Sequence, residues 1–75
     1  RRAAARAMTS VDTAYGRVPV KLRLAGGRVT QAMPEYEACR RLAAAAGAGL
    51  AAVTMAAQAA AYPLLGSQFE SEENR

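Results

Sequence analysis

The hydrophobic pattern changes period at Pro34. From Val18 to Leu24 the apolar residues alternate, with Val18, Val20, Leu22 and Leu24 on one side and Pro19, Lys21 and Arg23 on the other. That is the period of a half-buried strand with one wet, basic face. Beyond Pro34 the chain becomes alanine-rich, and its apolar residues recur at helical spacing. One switch from strand period to helix period, in 75 residues, allows a single small domain with its sheet first and its helices second.

Turn chemistry divides the extended half. Ala14-Tyr15-Gly16-Arg17 and Ala25-Gly26-Gly27-Arg28 read as turns. They flank the Val18–Leu24 strand and leave a third, more weakly patterned strand over Val29–Met33, in which Val29, Gln31 and Met33 alternate with Thr30 and Ala32. A first strand is expected over roughly residues 3–13, because the hairpin needs a partner. Residues 1–8 also have helix-forming composition, and alanine is a poor strand former. Pro19 cannot donate to a ladder, so its N–H side should face an edge or an interruption in pairing.

Pro34 is expected to open the first helix. Glu35 and Glu37 then lie near the positive end of its dipole. Tyr36, Cys39, Leu42, Ala43 and Ala46 share one face, Glu37 and Arg41 stand at i, i+4, and Gly47 is a natural stop. A second helix is predicted from about Leu50 to Tyr62, with Leu50, Val53, Ala57 and Ala60 or Ala61 inward and Pro63 as its terminator. Residues 63–75 lack periodicity and end acidic, as a flexible tail would, although Leu64, Leu65 and Phe69 suit docking on a neighbour.

Composition removes several kinds of chemistry. There is no His, and one Cys supports neither a disulfide nor a zinc site nor a Cys–His nucleophile. A complete hydrolase is not expected. The lone Cys fits a reducing, cytoplasmic compartment. No apolar run reaches the ~20 residues of a membrane span, and the basic start lacks the apolar core of a signal peptide. The chain starts at Arg1 without a Met, which suits a fragment or a trimmed form, and the sequence leaves a standalone protein equally open.

The net charge is +4, and it is uneven: residues 1–28 hold seven basic residues against Asp12 alone. A basic sheet half suits an anionic partner such as a nucleotide, nucleic acid or phosphate, but on charge alone a solvated surface is the favoured reading. Glu35 and Glu37 suit a divalent cation that already carries phosphates, or dipole complementarity plus an ion pair with Arg41, and from the residues alone the second is favoured. Arg40 and Arg41 suit a phosphate clamp or a solvated helix face. Lys21 and Arg23 form a possible basic platform with Arg28. Tyr15 suits base stacking or turn packing, and the second is favoured. Cys39 reads as a buried structural thiol. Nucleic acid ranks low as a partner, because the strands offer no aromatic pair.

The order of pieces resembles a known family. Tyr15-Gly16-Arg17-Val18-Pro19-Val20-Lys21-Leu22, then Gly27-Arg28-Val29, then Pro34-Glu35-Tyr36-Glu37-Ala38-Cys39-Arg40-Arg41-Leu42-Ala43 is similar to the C-terminal domain of the LarC nickel insertion proteins. There a "TPYG…VRVKV" hairpin precedes "PEYEDCRRLA" and a further helix. The resemblance covers roughly residues 1–62, which sets the domain at 1–62 and the tail at 63–75. Ala38 stands where the family often has an acid, and Ala14 where it often has Pro.

The resemblance implies a CTP-dependent nickel chelatase, or cyclometallase, that matures the nickel-pincer cofactor of lactate racemase. On that basis Lys21, Arg23, Arg40 and Arg41 are expected to neutralise the phosphates of CTP, and Glu35 or Glu37 to hold Mn2+ or Mg2+. Nickel is the inserted metal, and the N-terminal part of the family's protein and further copies of the chain are the expected partners. This chain alone is not expected to be the complete enzyme. The alternative is a structural oligomerisation module without the nucleotide site. The expected fold is α+β: a three-stranded antiparallel meander followed by two helices on one face, in the manner of a ferredoxin-like layer.

Overall fold

A computed structural model describes residues 5–70 of the chain. Three strands come first: β1 (Ala5–Thr13), β2 (Gly16–Ala25) and β3 (Arg28–Pro34). They form one antiparallel sheet in the order β1-β2-β3, and two helices follow, α1 (Tyr36–Ala46) and α2 (Leu50–Ala61). The α+β meander with two helices is the architecture the two periods predict. Positions 3 and 4 of the expected first strand lie outside the described residues.

The alternation of β2 decides which face is covered. Val18, Val20, Leu22 and Leu24 are all buried, and both helices pack against that side. Leu22, Leu24, Val20 and Val29 close over Ala61, and Val18 meets Ala38, Cys39, Val53 and Ala57. Alanine brings helix and sheet close together while burying little area per residue. Gly16 carries φ +131°, and a Cβ there would stand 3.0 Å from Leu42 Cδ2, so glycine lets the first hairpin seat on α1.

Several expectations shift. Pro34 does not open α1. It is the last residue of β3, and Glu35, extended at φ −74° and ψ 126°, is the residue before the helix. The inward face of α1 is Ala38, Cys39 and Ala43, with Leu42 half-buried, whereas Tyr36 and Ala46 are exposed. Ala38 takes the inward place expected of Tyr36, which is the first residue of the helix and stays exposed. Gly47 ends the helix in the left-handed region, as expected (φ 65°). On α2 the last inward residue is Ala61, and Tyr62–Leu64 continues as a short 3-10 turn containing Pro63.

Strand β3 does not keep strict alternation. A register shift between Arg23 and Leu24 sets Val29 opposite Leu24, and Ala32 and Gln31 opposite Leu22 and Arg23. Val29 is therefore buried, while Gln31 and Met33 lie on the open face. The Thr30 hydroxyl donates to the Arg23 carbonyl at this irregularity (3.1 Å).

Residues 65–70 run back along β3. The Val29 amide donates to the Ser67 carbonyl (2.9 Å), the Gly66 amide to the Val29 carbonyl (2.8 Å) and the Phe69 amide to the Gly27 carbonyl (2.9 Å). Leu64 and Phe69 pack onto the core. The strap occupies the β3 edge around Val29, where an unpaired ladder would otherwise face water.

Candidate functional site

The sheet face opposite the helices is open, and β-pairing arranges its side chains in rows. Met8, Lys21 and Met33 are partners across the three strands, and Arg6, Arg23 and Gln31 form the next row. Where β3 gives way to α1, Glu35 and Tyr36 stand beside these rows. Together Arg6, Met8, Lys21, Arg23, Met33, Glu35 and Tyr36 line a cleft of about 470 Å³. Three of them are cations and one is a carboxylate, so the cleft attracts anions. The start of α1 forms part of its wall, and no side chain caps that helix, so its first amides add to the positive field.

Lys21, Arg23 and Glu35 are thus brought together. Glu37, Arg40 and Arg41 are not among the lining residues. They are exposed on α1, where Arg40 Nε and Nη2 both donate to Glu37 Oε1 (3.1 and 3.0 Å). The expected Glu37–Arg41 pair is therefore replaced by an i, i+3 pair with Arg40. The hydrogen bond to Glu37, with its charge, holds the Arg40 guanidinium further towards its charged form. Among the described residues no three Cys, Asp or Glu side chains stand together as a metal-binding group.

The other candidates have structural places. Arg28 donates from Nη1 to the Gly66 carbonyl (2.9 Å) and ties the strap to β3, so it is not part of the cleft. Tyr15 is half-buried against the α1 cluster, in keeping with turn packing. Cys39 is a free, buried thiol. The sequence reading missed Arg6, Met8, Met33 and Tyr36. Only the strand register shows that Arg6 and Met8 face Arg23 and Lys21, and Tyr36 was expected on the inward face.

An α+β layer with helices on one face and a basic cleft on the other defines a small anion-attracting domain, of a size that serves as one module of a longer protein. Comparison with known proteins makes this specific. A family model described as "Nickel insertion protein" matches residues 1–54. A candidate nickel insertion protein of Myxococcus xanthus (strain DK1622) is 44% identical over 63 residues, which are 84% of this chain and 16% of that protein. The pyridinium-3,5-bisthiocarboxylic acid mononucleotide nickel insertion protein of Thermotoga petrophila is 45% identical over 40 residues, 53% of this chain and 10% of that protein. A solved structure of the C-terminal domain of a cyclometallase involved in the synthesis of the NPN cofactor of lactate racemase, in its apo form, superposes with a TM-score of 0.70. It is 32% identical and covers 83% of this chain, which in turn spans 42% of that one. The chain belongs to the nickel insertion protein family and corresponds to its LarC C-terminal domain. It spans about a sixth or less of the length of these two full-length relatives. Among the described residues no helix is long and apolar enough to cross a membrane.

Proposed function

We propose that this chain is the nucleotide-binding and assembly module of a CTP-dependent, cytoplasmic nickel insertion protein that acts in nickel-pincer cofactor synthesis. The observation that carries the proposal is the cleft, in which Lys21 and Arg23 stand with Arg6 beside Glu35 at the uncapped start of α1. A triphosphate needs concentrated positive charge, and these side chains and amides supply it.

The donor set fits a divalent cation only as part of such a ligand. Among the described residues Glu35 is the one carboxylate lining the cleft. One carboxylate plus phosphate oxygens is how Mg2+ is commonly held, whereas an all-protein cage needs more acids. In this reading Glu35 holds Mg2+ or Mn2+ on the phosphates, and Lys21 and Arg23 neutralise the remaining charge. Glu37, Arg40 and Arg41 are exposed on α1 and do not line the cleft, so in this reading they take no direct part in holding the phosphates. Nickel and the pyridinium mononucleotide it enters are substrates of the longer protein, to which this module contributes binding.

Calorimetric titration of CTP with Mn2+ into the chain, with ATP as control, tests the reading. Metal-dependent binding lost in Lys21→Ala supports it; absence of binding overturns it.

A second reading, an assembly module alone, is favoured by one observation. Helix α2 carries no charged residue, yet Met55 is 68% exposed and Tyr62, just past its end, 72% exposed. An exposed helix surface with only Thr54 and Gln58 as polar residues and no charge suits an interface. A light-scattering mass above the 7.8 kDa monomer, without nucleotide affinity, would select this reading.

A further inference from the structure

We infer that the outer edge of β1 is a self-complementary interface. A second copy of this chain pairs there antiparallel, about a two-fold axis that passes through Thr9 perpendicular to the sheet, and the two sheets join into one of six strands. This places the assembly role proposed above on a named surface, and rests on that role.

The two edges of the sheet differ. The β3 edge is taken up around Val29 by the strap, which pairs with it through backbone hydrogen bonds. Among the described residues no strand pairs with the outer side of β1. β1 is nine residues long and pairs with β2 without a register shift. From Ala7 to Val11 it holds no charged residue, proline or glycine. Charges, prolines and bulges are what keep a bare edge from pairing with another chain, and the middle of β1 has none of them.

Pro19 shows which backbone groups of β1 face outward. It stands opposite Ser10, and its carbonyl accepts from the Glu35 amide on the β3 side. In an antiparallel ladder a residue turns its N–H and C=O to the same side, and successive residues alternate. Ser10 therefore lies in a pair without mutual hydrogen bonds to β2. Its N–H and C=O point to the outer edge, and those of Arg6, Met8 and Asp12 are in the same phase.

One register satisfies these groups best. Residues opposite each other in an antiparallel pair share a face, so a symmetric pairing that keeps the helices on one side centres on a residue. With the axis at Thr9, all nine residues of β1 overlap. The outward groups of Met8 then meet those of Ser10, and those of Arg6 meet those of Asp12. The same register sets the Arg6 side chain opposite Asp12, beside the Arg17 that Asp12 already holds, and the symmetry makes this opposite-charge pair twice. Moving the axis to Met8 or Ser10 shortens the overlap and undoes that match. On the covered side Ala7 meets Val11, which packs against both core clusters. Helix α2 packs on β1 and carries no charge, so its two copies share one side of the joined sheet without like-charge repulsion.

The test uses the full chain. Sedimentation over a concentration series should show the 7.8 kDa monomer giving way to a dimer. Ser10→Pro removes an outward donor at two symmetric places and leaves the β1–β2 ladder whole. It should weaken association at least about tenfold, the loss expected for two hydrogen bonds, while the Thr9 and Val11 amides stay protected from exchange. Thr9→Cys puts a thiol from each copy at the centre, in a closely spaced pair that a disulfide can span. It should cross-link under mild oxidation, whereas the parent, whose Cys39 is buried, should not, and adding Ser10→Pro should abolish the cross-link. If the chain associates but Ser10→Pro leaves the association unchanged and Thr9→Cys does not cross-link, the copies meet elsewhere; the inference fails and the assembly role stands. A monomer at every concentration overturns both. Should Ser10→Pro fail to fold, the Thr9→Cys cross-link decides alone, its presence supporting the pairing and its absence overturning it.

Discussion

The amide of Glu35 donates to the carbonyl oxygen of Pro19 at 2.9 Å, and Pro19 has no N–H with which to return the bond. In a hydrogen-bonded antiparallel pair each residue both donates and accepts. Here the Glu35 carbonyl is left over, and it accepts instead from the Cys39 amide at 3.2 Å, at the first turn of α1. The proline of the central strand thus sits where β3 hands over to the helix, beside the cleft that holds Glu35 and Tyr36. Its N–H side faces an interruption in pairing, as its place in β2 predicts.

Substituting Pro19 tests that relationship. Pro19→Val restores a donor that competes with Cys39 for the Glu35 carbonyl. Amide exchange at Cys39 should quicken by roughly fivefold, the equivalent of about 1 kcal/mol for one hydrogen bond. Global stability should change by no more than about that amount. Unchanged protection at Cys39 would mean that the helix start is set by packing of Ala38 and Cys39 and not by the missing donor.

Ala38 gives a prediction with a pH sign. It is 3% exposed, among Val18, Val53 and Ala57. Ala38→Asp, which installs the acid the family often carries here, should destabilise the isolated chain by at least about 2 kcal/mol at pH 7, the cost of burying a polar group without a partner. Burial raises the folded-state pKa of a carboxyl above its unfolded value. The folded state then binds more protons than the unfolded one between those two values, so the variant loses stability as pH rises through that window and recovers it towards pH 3. Urea unfolding at pH 7 and pH 3, against the parent at each pH, measures the difference. A variant as stable as the parent at both would show that an acid at this position reaches water.

The strand half was legible because Val18, Val20, Leu22 and Leu24 must share a face, and glycines mark the turns between strands. The helices were legible from Gly47, Pro63 and the apolar spacing of Val53 and Ala57. The site was legible only in part. Lys21 and Arg23 follow from the wet face of β2, and Glu35 from the junction. Tyr36 and Met33 did not follow. Tyr36 is the first residue of α1, where helical spacing alone does not bury a side chain, and the register shift between Arg23 and Leu24 parts Val29 from Gln31 and Met33 without a local sequence signal. Arg6 and Met8 required the pairing of β1, which periodicity of an alanine-rich strand does not fix.

The two arginine positions separate the cleft from the helix surface. Arg23 lines the cleft, whereas Arg40 has two of its donors on Glu37 outside it. Arg23→Ala should weaken CTP binding by roughly tenfold or more, the loss expected for one charge-assisted hydrogen bond. Arg40→Ala should change affinity less than threefold and leave the metal dependence intact. The reverse order would move the phosphate site onto α1. Raising salt should weaken the parent more than Arg23→Ala, since fewer charges remain to be screened in the variant.

The strap is the last part to test, because it joins stability to the exposed edge of the sheet. Phe69 is half-buried on the core beside Leu64, and its amide holds the Gly27 carbonyl. Phe69→Ala removes that packing, and a partly buried ring of this size should cost about 1–3 kcal/mol. In a domain this small such a loss is a sizeable fraction of the total. The effect should also be local. With the strap loosened, the amides of Val29 and Gly66 lose their partners, and the β3 edge opens to other chains. Faster exchange at Val29 and Gly66, with Val53 and Ala57 still protected, is the expected pattern, together with concentration-dependent aggregation on warming. Uniformly faster exchange across both helices would instead make the strap part of the same cooperative unit as the core, and its loss a global destabilisation.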